Sequence, residues 1–349
     1  MLNQWLTYLT KFAKITQMNT FIKKLNFVSL QKAKKLILSG QLVAFPTETV
    51  YGLGASIFDE TAIKKIFEAK GRPQDNPLIA HISNKKQIDK LVSSISLDAQ
   101  KIIDNFMPGS LTVVLKKSPI VSDRVTGGLN TVAIRMPKSK EARRFIATCG
   151  VPLVAPSANV SGRPSPTTAE EVFADMDGKI PMILKGKKCQ VGIESTVLDC
   201  SGDIPVILRP GKVTKSQIEK VLGKTIEVLA DTTQKVNSPG VRYKHYSPNC
   251  PSVLNFDQNV NKVIDHYNEQ KTNGKNPVIL CLDSQKSLFG GCQVCSLGAT
   301  EEDFATNLYG ALRQNETKYD YIIIVWYSTS EFAQSVFNRL ERVVGHNFI

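Results

Sequence analysis

Residues 29–45 read SLQKAKKLILSGQLVAF, a helix pattern followed at once by a strand pattern. Ser29 is predicted to cap the helix, and Gly40 is predicted to end it. The apolar residues of this helix recur at the spacing of one face: Leu30, Ala33 and Ile37. Residues 42–45 are all apolar, and Pro46 stops the strand that they predict. A helix followed directly by a buried strand predicts an α/β fold.

The alternation of helix and strand patterns continues to about residue 222. Further helices are predicted at residues 60–70, 98–106, 140–148, 168–176 and 216–222. Further strands are predicted at residues 78–82, 111–115, 132–136, 153–155, 182–184, 196–199 and 206–208. Because the last strands follow one another with a single helix between them, we expect a twisted, mixed open sheet with helices instead of a strictly parallel one.

The length of the chain, 349 residues, favours two domains over one. Residues 230–251 contain several prolines and no regular period, which is typical of an interdomain linker. Beyond them, strand patterns at residues 253–256, 278–282 and 321–326 predict a smaller, Rossmann-like C-terminal α/β domain without a glycine-rich dinucleotide motif. We therefore divide the chain into a basic N-terminal extension (1–26), a larger domain (27–229), a linker (230–251) and a C-terminal domain (252–349).

The net charge of +13 indicates a polyanionic partner such as a nucleotide or a nucleic acid. Residues 1–47 hold seven of the lysines and no acidic residue, so more than half of the surplus lies near the N-terminus. Residues 1–25 fit neither a secretory signal nor a transit peptide well, although an address to an organelle is the alternative. No apolar run approaches the ~18 residues of a membrane-spanning helix, so no membrane association is predicted.

The seven cysteines are scattered among predicted core strands and are odd in number. This usage is typical of a reducing compartment, and we expect a cytoplasmic protein. Cys292 and Cys295 form a C-x-x-C pair, for which metal binding or redox chemistry is the alternative. Since no second pair or nearby histidine completes a zinc set, no metal site made by protein side chains is predicted.

Polar residues gather after the predicted strand ends, where α/β sheets bind ligands. Residues 46–54 (PTETVYGLG) and 155–162 (APSANVSG) offer hydroxyls, amides and glycines there. Residues 70–73 (KGRP) place two cations at a helix end, and residues 208–211 (LRPG) add a third. Each segment alone is also compatible with an ordinary turn, a helix cap or a surface ion pair.

No Walker A motif, kinase signature, zincin helix or Gly-x-Ser-x-Gly elbow occurs in the chain. No convincing Ser-His-Asp or Cys-His set occurs either, which disfavours covalent catalysis. Cations, hydroxyls and backbone groups without an obvious nucleophile indicate transfer at a nucleotide phosphate, where positioning and charge stabilisation do most of the catalysis.

Taken together, these segments resemble the YrdC-type domain in order and spacing. The segments that carry the resemblance are FPTETVYGL (45–53), KGRP (70–73), NPL (76–78), SAN (157–159) and ESTV (194–197). Residues 238–248 (SPGVRYKHYSP) resemble the linker of the two-domain threonylcarbamoyl-adenylate synthases, with Val241 where methionine is frequent. The resemblance covers residues 27–349, and the set of motifs is specific although each one is weak alone.

The resemblance implies that L-threonine, bicarbonate or CO2, and ATP give threonylcarbamoyl-AMP and pyrophosphate. It implies Mg2+ as the ion that accompanies ATP. The product would supply a tRNA threonylcarbamoyl transferase complex, which modifies the adenosine next to the anticodon. Contact with tRNA itself is a further expectation, and the linker is expected to fold over the nucleotide.

The resemblance also assigns residues. Threonine is expected to meet Thr49, His81, Arg135, Ser157 and Ser195, with Arg135 as the partner of its carboxylate. ATP is expected to meet Lys70, Arg72, Asn76, Thr112, Asn159, Thr167, Arg209, Arg242 and Tyr246. The catalytic set is expected to be Lys70, Arg72, Ser157 and Asn159.

Two other functions are weighed against this one. An RNA-binding module without synthase activity would explain the positive charge. A carbamoyl-transfer protein of hydrogenase maturation shares the domain, but it would need zinc-finger and acylphosphatase segments, which the sequence lacks.

Overall fold

The computed structural model describes residues 18–229 and 246–349 as two α/β domains. Predictions for residues 1–17 and 230–245, Arg242 among them, lie outside the described residues. The strands of the larger domain are β1 (Phe21–Lys24), β2 (Val43–Phe45), β3 (Gly52–Ser56), β4 (Ile79–His81), β5 (Leu111–Lys116), β6 (Thr131–Arg135), β7 (Leu153–Val154), β8 (Met182–Lys185), β9 (Thr196–Asp199), β10 (Val206–Arg209) and β11 (Glu227–Val228). Its helices are α1 (Phe27–Leu38), α2 (Glu60–Lys70), α3 (Ile88–Leu91), α4 (Leu97–Phe106), α5 (Asp123–Thr126), α6 (Lys140–Cys149), α7 (Ala169–Met176) and α8 (Lys215–Leu222).

The strands of the larger domain form one mixed sheet in the order β1-β8-β2-β3-β7-β4-β6-β5-β9-β10-β11. Parallel pairs such as β4 with β6 alternate with antiparallel pairs such as β5 with β6. This confirms the prediction of a mixed α/β sheet.

The C-terminal domain is a smaller, wholly parallel sheet in the order β12-β15-β13-β14. Its strands are β12 (Ser252–Asn255), β13 (Pro277–Cys281), β14 (Val294–Ser296) and β15 (Tyr321–Val325). Its helices are α9 (Val260–Thr272), α10 (Glu301–Asn315) and α11 (Glu331–Val344). The predicted smaller α/β domain is therefore confirmed, and each of its long helices packs an apolar face on the sheet.

The first helix begins earlier than predicted. Asn26 is the N-cap, because its side-chain oxygen accepts a hydrogen bond from the Ser29 backbone N–H at 2.9 Å. The Ser29 hydroxyl accepts in turn from the Asn26 N–H, also at 2.9 Å. The prediction that Ser29 is the N-cap is therefore wrong. Ser29 is the third residue of the helix and forms a capping box with Asn26. Asparagine and serine are both common at N-caps, so residue type alone does not tell them apart.

Four strands were not predicted: β1, β3, β11 and β14. β1 lies in the segment that the sequence analysis placed in the basic extension, yet it pairs in parallel with β8. Two of its four residues are lysines, which suit the exposed edge of a sheet. β3 contains Gly52 and Gly54 and was read as loop, although all five of its residues are buried.

The strand register brings polar residues together at one edge of the larger sheet. His81 and Arg135 end the parallel strands β4 and β6 and lie opposite each other. An isolated bridge joins Gly52, at the start of β3, to Ser157, which follows β7. The sheet therefore gathers at one place segments that are far apart in the chain.

The two domains pack closely against each other. The hydrophobic core of the C-terminal domain includes Val50 and Ile193 from the larger domain. Gly192 has a φ of +76°, and a Cβ there would lie 2.3 Å from the carbonyl oxygen of Ala305 in α10. Only a glycine permits both this backbone conformation and this approach.

Among the described residues, no helix has both the length and the apolar character needed to span a bilayer.

Candidate active site

A cleft of about 750 Å³, including the solvent at its mouth, opens at the edge of the larger sheet where these segments meet. Ten of the predicted site residues line it: Thr49, Lys70, Arg72, His81, Arg135, Ser157, Asn159, Ser195, Arg209 and Tyr246. Three others, Asn76, Thr112 and Thr167, are buried but do not line it. The structure thus brings most of the set into one cavity, while the role of each residue stays a prediction.

Lys70 is the last residue of α2, and its side chain turns into the protein. It is 2% exposed, and its Nζ donates to the carbonyl oxygens of Ser157 and Asn159, each at 2.6 Å. Burial, with the charge of Arg72 nearby, holds the pKa of Lys70 well below its usual 10.5. The alternative of a solvated charge at a helix end is therefore wrong for Lys70.

Arg72 and Arg209 place two more cations on the cleft. Arg72 is partly exposed, and its Nη2 donates to the carbonyl oxygen of Pro77 at 3.2 Å. Arg209 is buried, and its Nε and Nη2 donate to the Ser195 carbonyl oxygen at 3.1 and 2.9 Å. Burial lowers the pKa of Arg209 to about 10, so it is charged at neutral pH. Together with Lys70, these two arginines suit a polyphosphate.

Arg135 is held by a carboxylate that the sequence analysis did not single out. Its Nη2 donates to Glu48 Oε1 at 2.6 Å, and its Nη1 donates to Thr49 Oγ1 at 2.8 Å. Burial raises the pKa of Glu48, but the charge and hydrogen bond of Arg135 outweigh it and keep that pKa below 4.5. Glu48 stands in the quoted motif, but nothing in the motif indicates its partner 87 residues away.

His81 offers the cleft an uncharged imidazole. The ring is 4% exposed, and its Nδ1 lies 3.1 Å from the carbonyl oxygen of Ile79. Burial, reinforced by Arg135, lowers the pKa of His81 to about 3. Because a carbonyl oxygen only accepts, Nδ1 carries the proton and Nε2 is an acceptor at neutral pH. His81 lines the cleft, and its role there stays a prediction.

Asn159 presents a buried amide to the same cavity. Its Nδ2 donates to the carbonyl oxygens of Val160 and Arg163 at 2.7 and 2.9 Å. Its Oδ1 is buried without a hydrogen-bond partner among the described residues. A buried oxygen of this kind is expected to accept from a ligand, because leaving it unsatisfied is costly.

Two of the three predicted residues outside the cleft make hydrogen bonds to other side chains of the protein. Thr112 Oγ1 lies 2.7 Å from Ser195 Oγ, so Thr112 hydrogen-bonds to a residue that lines the cleft. Thr167 donates its N–H and its hydroxyl to Glu171 Oε2 at the start of α7. The side-chain amide of Asn76 has no hydrogen-bond partner within residues 18–229 and 246–349.

The far wall of the cleft reaches the C-terminal domain. Tyr246 lines the cavity, and its ring stacks on Tyr309 of α10 with 5.2 Å between centroids. Glu194 also lines it, and its Oε2 accepts from the Tyr309 hydroxyl at 3.0 Å and from Arg339 Nε at 3.4 Å. Tyr309 and Arg339 lie in ordinary amphipathic helices without any motif, so nothing in the sequence singles them out.

No group of three or more His, Cys, Asp or Glu side chains in the described parts of the chain could hold a metal ion. Glu194, which lines the cleft, and Glu48, which lies between the lining residues Thr47 and Thr49, are engaged by Arg339 and Arg135. These residues therefore do not fit a resident divalent cation, which prefers carboxylates that are not already paired.

Comparisons with known proteins identify the family of this chain. Residues 35–211 match the Sua5/YciO/YrdC family, described as "Telomere recombination", and residues 213–345 match the family described as "Threonylcarbamoyl-AMP synthase, C-terminal domain". The threonylcarbamoyl-AMP synthase of Bacillus subtilis is 42% identical over 333 residues, covering 93% of this chain and 95% of that protein. The one of Pyrococcus abyssi is 41% identical, covering 91% and 94%. The crystal structure of P. abyssi Sua5 complexed with L-threonine superposes with a TM-score of 0.88 at 38% identity, covering 95% of this chain and 98% of that one.

Proposed function

We propose a mechanism for this chain, which belongs to the threonylcarbamoyl-AMP synthase family. In the reaction, L-threonine, bicarbonate or CO2, and ATP give threonylcarbamoyl-AMP and pyrophosphate. One observation carries the proposal: a single cleft holds Lys70, Arg72 and Arg209 beside a neutral imidazole and a set of hydroxyls. The cations suit a nucleotide, and the uncharged polar groups suit an amino acid next to it.

The chemistry needs no nucleophile from the protein. The neutral amine of threonine adds to CO2 and loses a proton, which gives a carbamate. A carbamate oxygen then forms a bond to the α-phosphorus of ATP while the bond from that phosphorus to the bridging oxygen of pyrophosphate breaks. Lys70, Arg72 and Arg209 offset the negative charge that moves onto pyrophosphate. The protein therefore contributes orientation and charge stabilisation.

The residue assignments follow from which groups remain available to a ligand. Asn159 Oδ1 is available as an acceptor, and His81 is available as a neutral acceptor for the amine or hydroxyl of threonine. Nη2 of Arg135 is already engaged by Glu48. We propose that Arg135 chiefly orients Thr49 and that any contact with the threonine carboxylate comes from its remaining N–H groups.

Mg2+ is proposed to arrive with ATP instead of residing on the protein. The paired carboxylates Glu48 and Glu194 argue for this, because neither can give up its arginine without leaving a buried charge uncompensated. When bound, the ion would neutralise part of the triphosphate charge.

The chemistry of the product indicates which kind of enzyme uses it next. A mixed carbamic–phosphoric anhydride is labile, and the transferase complex that places its threonylcarbamoyl group on tRNA, next to the anticodon, is the proposed partner. Contact with tRNA itself is part of the proposal and rests on the net charge of +13. All seven cysteines are unpaired, which fits the proposed cytoplasmic location.

The test is pyrophosphate release by the purified full chain. We expect release only when ATP, Mg2+, L-threonine and bicarbonate are present together, with threonylcarbamoyl-AMP detected by mass spectrometry. Release from ATP alone, or none with all four, would contradict the proposal. If RNA binding persisted without release, the alternative of an RNA-binding module would be favoured.

A further inference from the structure

We propose that Tyr309 and Arg339 of the C-terminal domain are positioning residues for the cleft, acting through Glu194 on Ser195 and Arg209. The proposal deepens the proposed function and rests on it, since it assigns a catalytic purpose to the docking of the second domain. Neither residue lines the cleft.

Arg339 joins the two chain segments that carry these cleft residues. Its side chain is fully buried, at 0% exposure. Nη2 donates to the Glu194 carbonyl oxygen at 3.3 Å, and Nη1 donates to the Pro210 carbonyl oxygen at 2.5 Å. Glu194 directly precedes Ser195, and Pro210 directly follows Arg209. One guanidinium from the C-terminal domain thus fixes both neighbours.

The two segments are also joined on the cleft side. Arg209 donates twice to the Ser195 carbonyl oxygen, and its Nη2 lies 3.4 Å from Ser195 Oγ. Together with the bonds of Arg339, these contacts close a ring of hydrogen bonds around residues 194–195 and 209–210. Because a buried network is cooperative, removing one member loosens the others.

The Glu194 carboxylate adds an ion pair with Arg339 to this ring of hydrogen bonds. Its Oε1 accepts from Ser165 Oγ at 2.7 Å, and its Oε2 accepts from Tyr309 and Arg339. Burial raises the pKa of Glu194, but Arg339 first and Arg209 second hold that pKa below 4.5. Without Arg339, the other arginine acting on this anion is Arg209. We therefore expect Arg209 to be drawn toward Glu194 and away from the nucleotide.

Other contacts already fasten the domains, so this cluster is not needed for docking alone. Arg313 of α10 pairs with Asp175 of α7 at 2.7 Å and donates to the Pro164 carbonyl oxygen at 2.5 Å. Ser335, one turn before Arg339 in α11, donates its hydroxyl to the Gly211 carbonyl oxygen at 2.9 Å. Ser335 offers a matched control, because it makes a buried interdomain bond without touching Glu194.

The test compares Tyr309→Phe and Arg339→Met with Ser335→Ala in the full chain. We expect Tyr309→Phe to lower kcat/KM for ATP about fivefold, and Arg339→Met to lower it by about a hundredfold. Ser335→Ala should stay within about twofold of the unchanged protein while lowering the melting temperature as much as Tyr309→Phe does. Activity that followed melting temperature across all three variants would overturn the proposal.

A double-mutant cycle tests the route through Glu194. Tyr309→Phe should have little further effect on kcat/KM in a Glu194→Gln background, because both changes weaken one interaction. Additive effects would overturn the route. Both Tyr309→Phe and Glu194→Gln are near-isosteric, so the cycle holds even if Arg339→Met fails to fold.

Hydrogen exchange separates this inference from the proposed function. Amides of residues 194–196 should exchange faster in Tyr309→Phe and in Arg339→Met, but not in Ser335→Ala. This result would support the positioning role even if the unchanged chain released no pyrophosphate and the proposed function failed. Unchanged exchange in Tyr309→Phe, beside an active unchanged chain, would overturn the positioning role alone.

Discussion

At the scale of single residues, the cleft is governed by which charges are paired within the protein. Arg135 is compensated by Glu48, and Arg339 is compensated by Glu194. Lys70 Nζ is instead held by two carbonyl oxygens, whose partial charges do not neutralise it. Asp175 offsets the desolvation of Lys70 only in part, so an anionic ligand would stabilise the charged form of Lys70 further.

Arg72 is the cation whose removal should affect the ligand more than the fold. It is partly exposed and makes its contact with Pro77 through one nitrogen. Arg72→Ala should lower kcat/KM for ATP by at least about a hundredfold, as expected for a lost charge-assisted contact with phosphate. Its free energy of unfolding should fall by no more than about 1 kcal/mol.

The matched control for this change is Arg124→Ala, which removes an exposed arginine paired with Glu60 at the far end of α2. Pyrophosphate release by that variant should equal that of the unchanged protein. If Arg72→Ala turned over ATP normally in the same assay, Arg72 would be removed from the nucleotide site.

His81 should make the stability of the fold sensitive to acid. Its pKa is about 3 in the folded chain, lowered mainly by burial, against 6.5 in the unfolded chain. The unfolded state therefore binds more protons between these values, and stability falls as the pH drops from 6.5 toward 3. The loss should be about 1.4 kcal/mol for each pH unit in this window.

His81→Asn should flatten that dependence between pH 6.5 and 4.5, above the range in which the carboxylates Glu48 and Glu194 become protonated. Urea unfolding at pH 7.0 and pH 5.0 gives the two free energies to compare. An unchanged difference between them would show that His81 does not titrate on unfolding as its burial implies.

At the scale of elements, some helix starts were readable from the sequence and others were not, as the wrong assignment of Ser29 shows. Asp59 accepts from the Ala62 N–H at 2.9 Å and caps α2, as its position indicated. β3 was not readable, because glycine is rare inside strands. Glycine is needed in β3 because of a neighbouring side chain, since a Cβ on Gly54 would lie 3.0 Å from the ring of Phe45 in β2. That neighbour is known only once the strand pairing is known.

Gly54→Ala tests this reading of β3. The added methyl group would press on Phe45 and on the Val43 carbonyl oxygen, 3.2 Å away, so the fold should lose about 1–2 kcal/mol. This loss would occur although alanine orders a strand better than glycine does. Gly290→Ala, which meets nothing within 4 Å, is the control and should change stability by less than about 0.5 kcal/mol. A stabilised Gly54→Ala would contradict the packing argument.

At the scale of the whole molecule, the site was predictable as far as it consists of short segments that follow strand ends. Lys70 at the end of α2, Ser157 after β7 and Ser195 directly before β9 all line the cleft. The supporting pairs were not predictable. Glu194 meets Arg339 across 145 residues, and neither residue belongs to a pattern that specifies the other. Whether such residues come into contact depends on how the two folded domains pack against each other.

That docking depends on the close approach at Gly192. Alanine there would take a backbone conformation that favours glycine, and its Cβ would lie 2.3 Å from both the Ala305 oxygen and the Thr306 Cα. Since neither backbone atom can move alone, α10 would have to shift away from the larger domain. Gly192→Ala should therefore separate the melting of the two domains in calorimetry and lower pyrophosphate release by tenfold or more, an order-of-magnitude expectation.

Gly202→Ala provides the comparison for this change, because Gly202 lies in the same domain with nothing within 4 Å of its added Cβ and no positive φ. It should melt and turn over like the unchanged chain. If Gly192→Ala kept a single transition and full activity, the tight approach of α10 would be incidental. If it kept a single transition but lost activity, the effect would lie in Glu194, which follows Gly192 by two residues and lines the cleft.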